Sequence, residues 1–537
     1  MEYNNMREVL EHAVDRSPDK VYLLFEDQKV TYNQLDHLIN QTANMFLNLG
    51  IRKGDRVALM LPNCPEFIYL WFGLIKIGAS MVPVNTSFRE KETAYILQHS
   101  QAKVMVATPK YWEIVQKAMK NDNIQLDHRL SVRGEFEDIM VYERIRSQFT
   151  SVLADVSISR KDEAAILYTS GTTGKPKGCL ESQEYYLVAG NRYSEHLGLT
   201  ASDRVLTSLP IFHMNPQILS VMGTLFAGGS LALVDRFHPS TWWQEMRAKE
   251  ATHFHYLGVM PAMLMGMPIQ DDDADHKPWI GIGAGVPKTI HQPFEERFNV
   301  TLLEVFGMTE TGLNFCCLPQ PDRAVGTTCF YKPFVEYEAM VVDDDDKEVP
   351  FGTIGEMVLR GSNVDTRRQG FMFGYYKDPV ATDKVWKNGW FHTGDYVKRD
   401  TEGRYYFVDR KKDIVRRSGE NISASEVEGV IHLHQAIMDV AVIPVPDPIR
   451  EQEVKAYVVL KEGYSMDSVP VSDLIAWVVE RLAYYKVPRY WELRDSLPVT
   501  QTGKIQKQKL KGEKENLAVG SYDRVENKWI KESTQQA

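Results

Sequence analysis

Residues Tyr168-Thr-Ser-Gly-Thr-Thr-Gly-Lys-Pro-Lys-Gly178 gather four Ser/Thr hydroxyls, three glycines and two lysines into eleven positions. Glycines let the backbone approach phosphate oxygens and turn its N–H groups toward them, hydroxyls donate hydrogen bonds, and lysines neutralise charge, so this composition suits a polyphosphate. The spacing excludes a Walker A loop, because no Gly-x-x-x-x-Gly-Lys-[Ser/Thr] is present. A second glycine-rich stretch, Gly283-Ala-Gly-Val-Pro287, offers small residues that permit close backbone approach to a flat ligand. With Gly281 it does not make a dinucleotide fingerprint, since in Gly281-x-Gly283-x-x-Val286 the valine stands where the last glycine of Gly-x-Gly-x-x-Gly belongs.

These loops need a scaffold, and the pattern around them is α/β. Helical periodicity such as Asn33 to Leu49 alternates with short apolar runs at Arg56 to Leu61, Arg204 to Leu209, Ser230 to Val234 and Thr252 to Val259. Parallel sheets covered by helices follow. The apolar stretch Phe67 to Val84 is broken by Gly73, Lys76, Gly78 and Pro83, and predicts a buried helix followed by a strand rather than a membrane span. Beyond Asp409 a smaller α+β unit is expected, with strands at Asp439 to Val445 and Val454 to Leu460 and a helix at Val471 to Arg481. The expected layout is a large domain at 1–408, a short connection at 409–412, a small domain at 413–511 and a surface tail at 512–537. The acidic runs Asp271 to Asp273 and Asp343 to Asp346 read as solvated turns.

A chain of 537 residues with 43% hydrophobic content exceeds one ordinary core and is globular. Its net charge of −10 argues against non-specific binding to nucleic acid or to an anionic membrane. Cys64, Cys179, Cys316, Cys317 and Cys329 are odd in number and lack metal-ligand spacing. With Glu2, Glu8, Glu11 and Asp15 near the start and no apolar run there, a reduced cytoplasmic setting is the expectation. Oligomeric state is not legible.

The phosphate-type loop resembles that of the adenylate-forming superfamily of acyl-CoA synthetases, luciferases and peptide-synthetase adenylation domains, and further motifs follow in that family's order. The resemblance implies a large domain of helix-covered sheets with a small β-barrel-like part, and ATP, Mg²⁺ and CoA as partners of a small carboxylate. It implies that Thr169, Ser170, Gly171, Thr172, Thr173, Gly174 and Lys177 hold phosphates. In Phe306-Gly-Met-Thr-Glu-Thr311 it places Phe306 and Gly307 against adenine, Thr309 at phosphate and Glu310 on Mg²⁺. Phe306 stands where the family more usually has Tyr. Gly283, Ala284 and Gly285 match the adenine-side loop, and His213, in Leu209-Pro-Ile-Phe-His213, the histidine beside the substrate carboxylate. Asp395, in Gly389-Trp-Phe-His-Thr-Gly-Asp395, matches the ribose-binding carboxylate. Arg410 and Lys412, in Asp409-Arg-Lys-Lys-Asp413, match the nucleotide contact and the pivot. Lys504, in Leu497-Pro-Val-Thr-Gln-Thr-Gly-Lys504, matches the lysine that bridges the carboxylate and α-phosphate, and Gly419 the glycine beside the pantetheine tunnel.

A carboxylate is a poor acceptor for a thiol until it is activated, so these parts imply attack on the α-phosphorus of ATP, release of pyrophosphate and transfer of the acyl group to CoA. Scaffold stretches such as Gly50-Ile-Arg-Lys-Gly-Asp55 and Asn63-Cys-Pro-Glu-Phe67 are most similar to crotonobetaine/carnitine-CoA ligases and related acyl-CoA ligases. A quaternary ammonium wants aromatic faces or a carboxylate, for which Trp242, Trp243, Tyr256 and Glu181 are candidates. After Gly178 the chain has Cys-Leu-Glu-Ser-Gln183 where many relatives carry a Thr-His pair. Two other readings stay open: an adenylation enzyme that loads a carrier protein, and an inactive nucleotide-binding relative with a sensing role.

Overall fold

The computed structural model describes residues 3–153, 155–169, 176–417, 420–447, 450–499 and 505–531, and only the backbone of Lys412, Arg416, Glu420 and Asn421. The chain forms two compact units. One comprises Met1–Glu338 and Leu359–Phe391, the other Ala339–Val358 and His392–Ala537. The smaller unit thus takes in residues ahead of 409.

Two eight-stranded sheets build the first unit. In one, Arg56–Met60, Ser80–Pro83 and Val104–Ala107 run parallel as almost continuous apolar segments, as strands covered on both faces require. The Phe67 to Val84 stretch forms the buried helix Pro65–Ile75 and then the strand Ser80–Pro83. Proline at the start of that helix removes no hydrogen bond, and Gly78, at φ 70°, turns the chain into the strand. At the other end of this sheet Glu163–Thr169 and Lys177–Ser182 form an antiparallel pair, flanked by the short strand Gly374–Tyr375.

The second sheet places Val300–Met308, Trp279–Ala284, His253–Leu257, Arg204–Thr207 and Ser230–Leu233 side by side, all parallel. Its core is aromatic: Trp242, Phe254, Tyr256, Trp279, Phe294 and Phe298 pack with Leu206 and Leu302.

In the second unit, Ile437–Asp447 and Glu451–Leu460 pair antiparallel, covered by the helices Ala424–His432 and Val471–Val479 through Val427, Ile431, Leu474 and Val478. The segment after Gly512, expected as a surface tail, adds the strand Tyr522–Asp523 beside Tyr490–Leu493. Leu517 and Ala518 bury in an apolar cluster, and Asp523 pairs with Arg489 at 3.0 Å, which anchors it. The expected β-barrel-like part is not closed. Its sheet follows an open path through Tyr405–Arg410, Trp390–Arg399, Ile354–Gly361 and Tyr337–Val342, and no closed barrel occurs among the described residues. Among those residues no helix is long and apolar enough to cross a membrane.

Candidate active site

The antiparallel pair sets Thr169 opposite Lys177, so their side chains flank the mouth of the loop between them. Ser170, Gly171, Thr172, Thr173 and Gly174 lie outside the described residues. Tyr375, opposite Cys179 on the neighbouring strand, donates from its hydroxyl to Glu310 Oε1 at 2.9 Å. Lys177 Nζ stands 4.9 Å from the centre of the Tyr375 ring. Tyr375 therefore joins two residues that lie far apart in sequence, and no spacing pattern marks it. Cys179 sits within the same group: burial raises its thiol pKa, the charges of Glu310 and Glu181 push it the same way, and Thr169 and Lys177 oppose them.

Arg204–Thr207, His253–Leu257, Trp279–Ala284 and Val300–Met308 are parallel neighbours, so their carboxyl ends share one edge, where open α/β sheets bind ligands. The His213 segment follows the first of these strands, Gly258 the second, Gly285 the third and Thr309–Glu310 the fourth. Backbones crowd at this edge. A Cβ on Gly283 would lie 2.1 Å from the Tyr256 carbonyl oxygen, and one on Gly258 1.9 Å from that of Gly285. Gly285 itself adopts φ 83°.

Glu304, opposite Gly283 in the register, holds this loop. It accepts from Gly285 N at 2.8 Å, Val286 N at 3.1 Å and the Tyr256 hydroxyl at 2.7 Å. Burial raises its pKa, and the three donors resist the rise. Sequence reasoning missed Glu304, although a lone carboxylate inside Val-Thr-Leu-Leu-Glu-Val-Phe306 was a visible signal. Phe306 stacks on Phe330, with centroids 5.0 Å apart, and meets Phe315 edge-on at 5.8 Å.

The His213 segment is held from behind. Asn63 donates to the Leu209 carbonyl at 3.1 Å and accepts from Ile211 N at 2.9 Å. Gln217 donates to the Ile211 carbonyl at 2.8 Å and accepts from the Tyr186 hydroxyl at 2.7 Å. Surrounding protein lowers the His213 pKa to about 4, although the ring keeps solvent access, so its imidazole is neutral at physiological pH. A π-helical turn, Pro216–Met222, follows, a geometry frequent at functional sites. Its Ser220 hydroxyl lies 2.6 Å from His255 Nδ1, and His255 Nε2 lies 2.6 Å from the Tyr193 hydroxyl.

In the second unit Asp395 is opposite Arg410, and Arg410 Nε lies 2.8 Å from Asp395 Oδ1. The strand bearing Asp395 is fixed by Glu356, which accepts from Gly394 N at 3.1 Å and Lys411 Nζ at 2.8 Å. Burial would raise the Glu356 pKa, but His392 and Lys411 hold it down at about 2. Arg417 pairs with buried Glu453 at 2.7 Å. Gly419, Lys504 and the Lys412 side chain lie outside the described residues.

Thr169 and Lys177 facing each other near the Glu310 carboxylate, with a crowded carboxyl edge in the same unit, define a nucleotide-binding α/β enzyme. The match to known families is specific: residues 10–376 fit the AMP-binding enzyme model and residues 426–504 the AMP-binding enzyme C-terminal domain. The chain belongs to the AMP-binding enzyme family. It is 33% identical over 522 residues to the crotonobetaine/carnitine–CoA ligase of Salmonella agona strain SL483, covering 94% of this chain and 99% of that one. Among solved structures it is similar to the anthranilate CoA ligase AuaEII in complex with anthranoyl-AMP, with 26% identity, TM-score 0.84 and coverage of 95% and 97% of the two chains. ATP-bound MatB from Rhodopseudomonas palustris has 25% identity, TM-score 0.83 and coverage of 95% and 99%.

Proposed function

We propose that the chain is an ATP-dependent acid–CoA ligase, which forms an acyl-AMP with release of pyrophosphate and then passes the acyl group to the thiol of CoA. The observation that carries this reading is the grouping of Lys177 and Glu310 around Tyr375, with Thr169 opposite Lys177 where the 169–177 segment begins. Similarity to crotonobetaine/carnitine–CoA ligases supports a small betaine as the acid. Five buried cysteines, none in a disulfide, suit a reduced cytoplasm.

Glu310 fits a hard divalent cation: it presents a carboxylate beside the loop, with Oε1 oriented by the Tyr375 hydroxyl. When bound, Mg²⁺ supplies charge neutralisation on the phosphates. Lys177 and the loop hydroxyls orient them, Gly283, Ala284, Gly285, Phe306 and Gly307 face the base, and Asp395 with Arg410 receives the ribose. Neutral His213 borders the acyl carboxylate without repelling a cationic substrate. Lys504 stabilises the charge that two reacting anions gather in the transition state.

The test is pyrophosphate release from ATP and Mg²⁺ over a panel of betaines, fatty acids and aromatic acids, with and without CoA. The expected result is CoA-dependent turnover of one acid class to an acyl-CoA. Adenylation without transfer to CoA would favour a carrier-loading enzyme instead. Lys504→Ala should lower adenylation by about 10²–10³-fold yet leave thioester formation from supplied acyl-AMP intact; loss of both half-reactions would refute its assignment.

A further inference from the structure

Glu181 is fully buried, and neither carboxylate oxygen has a hydrogen-bond partner. It lies on the strand Lys177–Ser182, one alternate position along from Cys179 and two from Lys177, the residue at the loop mouth. Tyr185, Tyr186, Cys179 and Glu310 lie close enough for Glu181 and their own ionisation to influence one another. Burial raises its pKa well above the carboxylate range, and the charge of Glu310 raises it further. The Tyr185 hydroxyl is likewise buried without a partner. Tyr185 meets Tyr186 edge-on at 5.2 Å, and Tyr186 meets Trp71 at 5.3 Å.

A buried carboxyl costs stability unless something satisfies it, and a second carboxylate nearby worsens the cost. The other sequence candidates for a cation site are already engaged. Trp242 and Trp243 pack against Phe254 at 5.9 Å and 5.8 Å, and the Tyr256 hydroxyl is bound to Glu304. Glu181 is left, with aromatic rings and an unpartnered hydroxyl nearby, which together form the chemistry that takes an organic ammonium.

We propose that Glu181, with Tyr185 and Tyr186, is the counter-ion subsite for a cationic group on the acyl substrate, and that it selects zwitterionic acids over uncharged acids of the same shape. The proposal rests on the ligase reading and deepens it. Glu181 is a specificity-determining residue here and takes no part in either chemical step.

The test compares γ-butyrobetaine with its tert-butyl analogue, in which carbon replaces the ammonium nitrogen. For the wild type, kcat/KM should favour the betaine, and Glu181→Gln should lower the betaine-to-analogue ratio by about 10²-fold, chiefly through KM. An unchanged ratio, or a wild type that prefers the analogue, would overturn the subsite. So would a Glu181→Gln effect confined to the Mg²⁺ dependence of pyrophosphate release, which would make Glu181 a partner of Glu310 in metal binding. Calorimetric titration of the wild type with tetramethylammonium and with γ-butyrobetaine provides a readout that needs neither turnover nor the variant. Saturable binding of both supports the subsite even if no acid is converted, an outcome that would defeat the ligase reading alone; absence of binding by either overturns the subsite.

Discussion

Glu304 and Glu181 belong to the same unit, each buried on a strand and each with its pKa raised by burial. Around Glu304 two backbone amides and a tyrosine hydroxyl converge, so the carboxylate is paired internally and its strength is spent on holding the Gly283–Val286 loop. Around Glu181 no donor converges. Residue type and burial are thus the same in the two regions, and the partner inventory separates a structural carboxylate from one that awaits a ligand.

The contrast can be broken from either side. Glu304→Ala leaves two buried amides without an acceptor and should destabilise the fold by about 3 kcal/mol, with a raised KM for ATP; Glu181→Gln should leave the denaturation midpoint unchanged or higher. Equal losses in the two variants, measured by urea titration, would erase the distinction. Moderate in size is the pH effect of His255, whose burial, with the charge of His253, lowers its pKa to about 3. The unfolded chain takes up this proton near pH 6.5 while the native state does not, so native stability falls as pH drops below 6.5, by up to about 1.4 kcal/mol per pH unit. Urea midpoints between pH 6.5 and 4.5 should fall less steeply in His255→Gln than in the wild type. Smallest is Tyr256→Phe, which removes one of the three donors to Glu304 and should cost about 1 kcal/mol; a loss as large as that of Glu304→Ala would mean that the amides contribute nothing.

Much of the scaffold was legible because its strands are apolar runs bounded by glycine and proline. Arg56 to Leu61 and Ser230 to Val234 appear as Arg56–Met60 and Ser230–Leu233, and the helix predicted from Asn33 to Leu49 as Tyr32–Asn48. Partners supplied by distant chain segments were not legible. Tyr375 reaches Glu310 across 65 positions, and Arg410 meets Asp395 only because two strands pair in one register. The tail after Gly512 misled because its charges outnumber its apolar residues, while the burial of Leu517 and Ala518 and the pairing of Asp523 with Arg489 hold it in place.

Tyr193, His255 and Ser220 come from a helix, a strand and the π-helical turn, and the imidazole between the hydroxyls must donate to one and accept from the other. Replacing any one of them strands a buried polar group on the next. The three form one polar unit inside an apolar core, so a single replacement should cost more than the simultaneous replacement of all three by apolar residues of similar size.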